Sequence, residues 1–230
     1  MVTRTIIIIL LFTLFTSNLS AQETKKISYR KQCKIDSKRQ ILEIHDGVLL
    51  VRLKQKQKSI DALRKRGRVK LAKKIELKQQ NRNKYIIDAF NARFDFCPVY
   101  FFYSSDSKHI RNNNLDSISF LNDSLLKDNS ITFKDSIFYV AEFGHIEPEE
   151  TFTYQSSVHT SKNETIATYS GSSDFSFKAV TIKTKDFKQL KEPFPYYSKE
   201  SSGANKRANI NAAVRKLDLI LKRFYSKQVK

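Results

Sequence analysis

The sequence predicts a single α/β or α+β domain, a mixed sheet carrying a long basic helix and a C-terminal helix. Three observations predict it. An apolar run at 48–53 is followed by helical periodicity over 57–93 and then by a second apolar run at 99–103. Strand, helix and strand in that order make a βαβ unit, whose strands pair in parallel. Beyond residue 130 the pattern shifts to short β-branched and aromatic runs, and the chain closes on another helical stripe.

Each element has its own warrant. Residues 1–21 read as a cleavable secretory signal peptide: Arg4 supplies the positive end, residues 6–15 are apolar apart from Thr13, and Asn18, Leu19, Ser20 and Ala21 form a small, polar exit. Ten apolar residues reach only about 15 Å as a helix, half a bilayer core, so no transmembrane segment is expected after cleavage. No cysteine directly follows the cleavage site, where Gln22 stands and Cys33 comes about a dozen residues later, which argues against a lipid anchor. Residues 22–40 are polar and form a loosely ordered lead-in to a domain at 41–230. Ile41 to Ile44 alternates weakly. Asp46-Gly47 is a turn signal that suits a hairpin into the strand at 48–53.

Over 57–93, Ile60, Leu63, Leu71, Ile75, Ile86 and Phe90 recur at steps of three and four, one apolar stripe of a helix. Ser59 is a natural cap, and Gly67 marks a kink or a stop and restart. The stripe turns polar around Lys78 and Arg82, so part of this helix is expected to project into water. The run 99–103 suits a buried central strand. Residues 131–133 and 137–141 suggest a hairpin, 151–158 and 165–170 a second, more polar pair, and 177–182 another strand. Pro193 and Pro195 demand extended chain. Ile210, Val214, Leu217, Leu221 and Phe224 set the stripe of a helix over 204–225.

Composition narrows the function. Seventeen Phe and ten Tyr can fill a core, and five Gly and four Pro exclude a fibrous or low-complexity chain. The net charge of +19 is segregated: residues 54–84 hold 13 basic and 2 acidic groups, and 206–230 hold 8 and 1, whereas 85–205 hold 12 and 16. Arg64, Lys65, Arg66, Arg68, Lys73 and Lys74 are therefore candidates for contact with an anionic envelope component or an acidic protein partner, the alternative being a solvated helix face. Export argues against nucleic acid, and no aromatic residue is interleaved with these cations to stack on bases.

Two cysteines, Cys33 and Cys97, meet an oxidising compartment after export, which leaves a Cys33–Cys97 disulfide open. The alternative is that Cys97, within 94–100, is a buried small apolar residue. The loop 104–109 is the candidate ligand site. If 99–103 is a parallel strand, the loop leaves its carboxyl end, where open α/β sheets gather ligand groups. Ser104, Ser105, Asp106 and His109 would line it, with Asp46 as a further carboxylate; the alternative is that Asp106 or Ser107 caps a short helix. Residues 142–150 collect four carboxylates around His145, a set that could bind a divalent cation or share acid–base work but is read here as a solvated acidic loop after a strand. No metal-ligand spacing, phosphate loop, dinucleotide glycine pattern or nucleophile elbow is present, so no metal or cofactor is expected.

The Ser20-Ala21-Gln22 junction and the block from Phe94 to Ser104 resemble small exported proteins of the Bacteroidetes, over roughly 41–103 with an echo at 187–197. The resemblance implies a periplasmic or cell-envelope setting in a Gram-negative bacterium and carries over no catalytic residue. Asp116-Ser117-Ile118, Asp123-Ser124-Leu125 and Asp135-Ser136-Ile137 resemble the O-glycosylation acceptor of exported proteins in that phylum, although turn chemistry explains Asp-Ser equally well. Together these features suggest an exported, non-catalytic binding or structural protein. The alternatives are a small periplasmic hydrolase-like enzyme with its site near 104–109, or an assembly accessory protein whose basic face docks a partner.

Overall fold

A computed structural model describes residues 28–131, 137–146 and 177–229. The signal segment, the strand pair expected at 151–158 and 165–170, and the turn at 134–136 lie outside the described residues. The chain divides into two units, 1–32 and 33–230. Of the first only 28–32 are described, in the opening turn of a helix; the sheet and the remaining helices all belong to the second.

The domain is α/β. Its described strands form one six-stranded sheet, and five α-helices accompany it. Helix α1 (Tyr29–Asp46) leads into β1 (Val48–Leu53). Helices α2 (Gln57–Lys65) and α3 (Val69–Arg93) cross to β2 (Val99–Tyr103). The short helix α4 (Ser107–Arg111) and β3 (Phe120–Leu121) come next. Strands β4 (Phe138–His145), β5 (Lys178–Lys183) and β6 (Tyr197–Lys199) precede the C-terminal helix α5 (Lys206–Val229). The spatial order is β3-β2-β1-β4-β5-β6. β1 is central and parallel to both β2 and β4; all other pairings are antiparallel.

The period-two alternation of β1 divides the core. Leu49, Val51 and Leu53 face α1, α3 and α5, joining Ile41, Ile44, Ile86, Phe90, Ile210, Val214 and Leu217. Val48 and Leu50 face the other way, onto Phe102, Ile110, Ile118, Phe120 and Val140. All three long helices thus share one face, and the segment from α4 to β3 covers part of the other.

Several expectations change. From Tyr29 on, the lead-in and the weak alternation at 41–44 are helical: Ser37, Ile41 and Ile44 are buried at steps of four and three, which is a helix stripe. No hairpin forms at Asp46-Gly47, because α1 runs directly into β1. Gly47 is needed there for space, since a Cβ would lie 2.6 Å from the carbonyl oxygens of both Glu43 and Ile137. Ser59 is not a cap but lies in the first turn of α2, whose N-cap position is Lys56 in the left-handed region. Leu71 of the expected stripe is exposed. β4 pairs with β1 over Phe138–Glu142 and with β5 over Val140–His145; residues 132–136 of the hairpin expected across 131–133 and 137–141 lie outside the described residues.

The disulfide is not formed, and both thiols are free. Phe96, next to Cys97, packs on His45 with ring centroids 5.5 Å apart, at the far end of α1 from Cys33. The twelve-residue step from Cys33 to His45 puts about 18 Å of helix between them, well beyond the reach of a disulfide.

Candidate functional site

The carboxyl ends of the parallel strands gather a polar cluster. From β1 the chain crosses to β2 on one side, while β4 lies on the other, so the ends of β1 and β4 flank a topological switch point. The β1–β4 register sets Arg52 beside Glu142. Arg52 Nη1 donates to Glu142 Oε2 at 2.5 Å, and Lys54 Nζ lies 2.9 Å from Oε1. Arg52 Nε also donates to Ser107 Oγ at 2.8 Å, which ties β1 to the start of α4. The ring of Phe187 lies 5.0 Å from the guanidinium carbons of both Arg52 and Arg111. Gly144 keeps the floor open: its Cβ would sit 3.3 Å from Lys54 Nζ and 3.4 Å from Glu142 Oε1.

The Glu142 carboxylate is buried. Burial alone would push its pKa up, but the hydrogen bonds and charges of Lys54 and Arg52 outweigh burial and hold it below the usual carboxylate range. Lys54 is fixed from behind, since Asn83 Nδ2 donates to its carbonyl at 2.9 Å and Gln79 Nε2 donates to Asn83 Oδ1 at 2.9 Å. Two cations on one carboxylate leave the triad with an excess of one positive charge.

The loop 104–109 does leave the carboxyl end of a parallel strand, as a 3₁₀ turn (Ser104–Asp106) and then α4. The side chains of Ser105, Asp106 and Ser107 are engaged within the protein. Asp106 accepts from the Ser119 backbone N–H at 2.9 Å and from Ser105 Oγ at 2.9 Å. Ser107 Oγ donates to the Ser104 carbonyl at 2.7 Å. His109 sits on α4 beside Ile110, which is buried. Asp46 does not join them: it precedes β1, at the opposite end of a strand about 20 Å long. There it lies 2.7 Å from His45 Nδ1, and the His45 ring stacks on Tyr225 at 4.0 Å. Glu142, Gly144 and His145 belong to β4 rather than to an acidic loop, because the register with β5 runs through His145; residues 147–150 lie outside the described residues. Among the described residues no group of three His, Cys, Asp or Glu side chains is placed to hold a metal ion.

The sequence alone did not single out Arg52 or Lys54, and took Glu142 only as the start of an acidic loop. A signal was present: Arg52 interrupts an otherwise apolar strand, and Glu142 does the same in β4. A charge at a core-facing strand position needs a partner.

The second candidate is the basic hairpin. α2 ends in a Schellman motif: the Arg68 N–H donates to the Leu63 carbonyl at 2.9 Å and the Gly67 N–H to the Arg64 carbonyl at 3.0 Å, with Gly67 at φ 72°. The chain turns back into α3, and Arg64 Nη2 bonds Glu76 Oε2 at 2.8 Å, pinning the two helices together. Ile60 and Ala72 are buried between them. From Gln79 on, α3 buries residues against the sheet and α5. Before Gln79 only Ala72 is buried, so the hairpin stands clear of the sheet. Arg64, Lys65, Arg66, Arg68, Lys70, Lys73 and Lys74 are all exposed. The two acids of this segment, Asp61 and Glu76, both face Arg64.

Comparison with protein-family models, with curated proteins and with solved structures finds no match for this chain. No helix among the described residues is long and apolar enough to cross a membrane.

Proposed function

We propose that this chain is an exported, envelope-associated binding protein that performs no chemistry of its own and meets an anionic partner through the α2–α3 hairpin. One observation carries the reading: seven exposed cations between Arg64 and Lys74 crowd a hairpin that stands off the sheet, and the acids of that segment are turned onto Arg64. Near an anionic surface each such cation contributes about 1 kcal/mol, within a Debye length of about 8 Å at physiological salt. The signal at 1–21 and the resemblance to exported Bacteroidetes proteins support the envelope setting. Nucleic acid fits less well, because the hairpin offers no aromatic platform among its cations.

The test uses the mature chain, starting at Gln22, and inorganic polyphosphate as a soluble polyanion. Lys65→Glu, Arg66→Glu, Arg68→Glu and Lys73→Glu together spare the Arg64 clamp. Affinity should fall by at least about a hundredfold while far-ultraviolet circular dichroism stays the same. Equal affinity in the two proteins would refute the reading.

A second reading, a hydrolase-like enzyme near Ser104, Asp106 and His109, is favoured by one observation, the meeting of Arg52, Ser107 and Glu142 at the switch point. The internal pairing of these groups supports a structural clamp more strongly.

A further inference from the structure

We infer that the anionic partner is the face of a phospholipid bilayer, and that the hairpin tip seats Val69 and Leu71 among the lipid head groups. The inference rests on the proposed anion-docking role of the hairpin and goes further by naming what the cations meet. Cations alone suit any polyanion. What selects a bilayer is the apolar material set among them. Of nine exposed large apolar side chains among the described residues, three fall within a span of nine: Val69 at 60% exposure, Leu71 at 43% and Leu77 at 56%.

Val69 and Leu71 open α3 at the hairpin tip, on different sides of the helix with Lys70 between them. Val69, Lys73 and Leu77 recur at steps of four, and so fall on one line along α3. Lys70, Lys74 and Lys78 form the neighbouring line. Apolar and cationic residues therefore share the outward side, with Ala72 and Gln79 turned inward. At the tip, a groove of about 500 Å³ is lined by Gly67, Arg68, Val69, Lys70 and Leu71. Nothing lies within 4 Å of the Cβ position at Gly67, so no other described part of the chain covers the turn. Exposed apolar side chains set among cations bind a bilayer surface by apolar burial plus attraction to anionic lipids, the Lys and Arg stems lying along the apolar layer with the charges at the phosphates. A soluble polyanion has no apolar layer and gives Val69 and Leu71 nothing to enter.

The chain contains no tryptophan, which makes a single introduced one an unambiguous reporter. Val69→Trp in the mature chain is mixed with vesicles of phosphatidylglycerol in phosphatidylcholine, some carrying brominated acyl chains. Its emission should shift to the blue and be quenched by the bromines. Leu219→Trp, on α5, should show neither change. Separately, Val69→Asn with Leu71→Gln should lower partitioning onto these vesicles by about tenfold and leave polyphosphate binding unchanged. An unmoved, unquenched Val69→Trp emission would overturn the inference, as would full vesicle binding by the Asn/Gln variant. Loss of polyphosphate binding in that variant would overturn it too, by showing that the apolar pair serves the hairpin's fold. If the wild-type chain binds polyphosphate but not vesicles, the docking role stands and the bilayer assignment falls. If it binds neither, both fall.

Discussion

Glu142 shows how a single charge is kept inside this sheet. Its carboxylate is buried on the face opposite the long helices, and Arg52 and Lys54 each hold one oxygen. Breaking such a pair costs more than the pair is worth, because the remaining cations keep their desolvation and lose their partner. Glu142→Gln should therefore lower stability by about 2 kcal/mol in urea denaturation at neutral pH, Arg52 and Lys54 being open enough to water to reduce the cost. The pH dependence stems from the depressed carboxyl. The contribution is complete above the unfolded value of about 4.3 and is lost as pH falls through the lower folded value. Wild-type stability should drop steeply below about pH 4.3, and the Gln variant should lose less over that interval. Equal slopes would contradict the pairing. The two thiols divide in a similar way. Burial pushes the Cys97 thiol up to about 12, with Asp218 adding to the rise. Cys33, on the opening turns of α1, is half-buried. Iodoacetamide at mildly alkaline pH should modify Cys33 and leave Cys97 until denaturant is added, read by peptide mass. Simultaneous modification of both would contradict the burial of Cys97.

Among the elements, the hairpin hinges on Gly67. Its φ of 72° closes the Schellman motif, and the space around it is open, so a substitution costs conformation alone. Gly67→Ala should lower stability by about 1 kcal/mol and Gly67→Asn by less, as seen in thermal or urea denaturation. Equal losses would point to a steric role. The sequence showed this element clearly: the three-and-four spacing of Ile60, Leu63, Ile86 and Phe90, with Gly67 between, placed two helices and their break. It also placed β1, β2, β5 and α5, whose apolar runs or stripes are long. It was misleading at α1, whose buried stripe is only Ser37, Ile41 and Ile44 among many charges, so most of the helix reads as a polar tail. It was misleading again at the end of β4, where 142–145 read as the start of an acidic loop but continue the strand. Strand neighbours are set by long-range pairing, and nothing local in 142–145 says that β5 lies alongside. The site was half legible for the same reason. The loop after β2 falls at the carboxyl end of a parallel strand, as its position predicts. The partners Arg52 and Glu142, however, are ninety residues apart and meet only through the sheet register.

At the scale of the whole molecule, charge and fold are arranged separately. The sheet and its three long helices form a scaffold whose buried charges are answered: Glu142 by Arg52 and Lys54, Glu200 by a bidentate Arg82, and Asp218 by the backbone N–H groups of Asp95 and Phe96 and by Lys222. The excess positive charge is left on the surface, most densely on a hairpin that contributes little to the core beyond Ile60 and Ala72. A fold can give up such a hairpin to binding because its stability lies elsewhere. The clearest single measurement is binding of the mature chain to phosphatidylglycerol-containing vesicles as ionic strength is raised. Screening contracts from about 30 Å at 0.01 M salt to about 8 Å at 0.15 M, so binding carried by the hairpin cations should weaken by at least about tenfold over that range. Binding that holds constant across it would contradict docking through those cations.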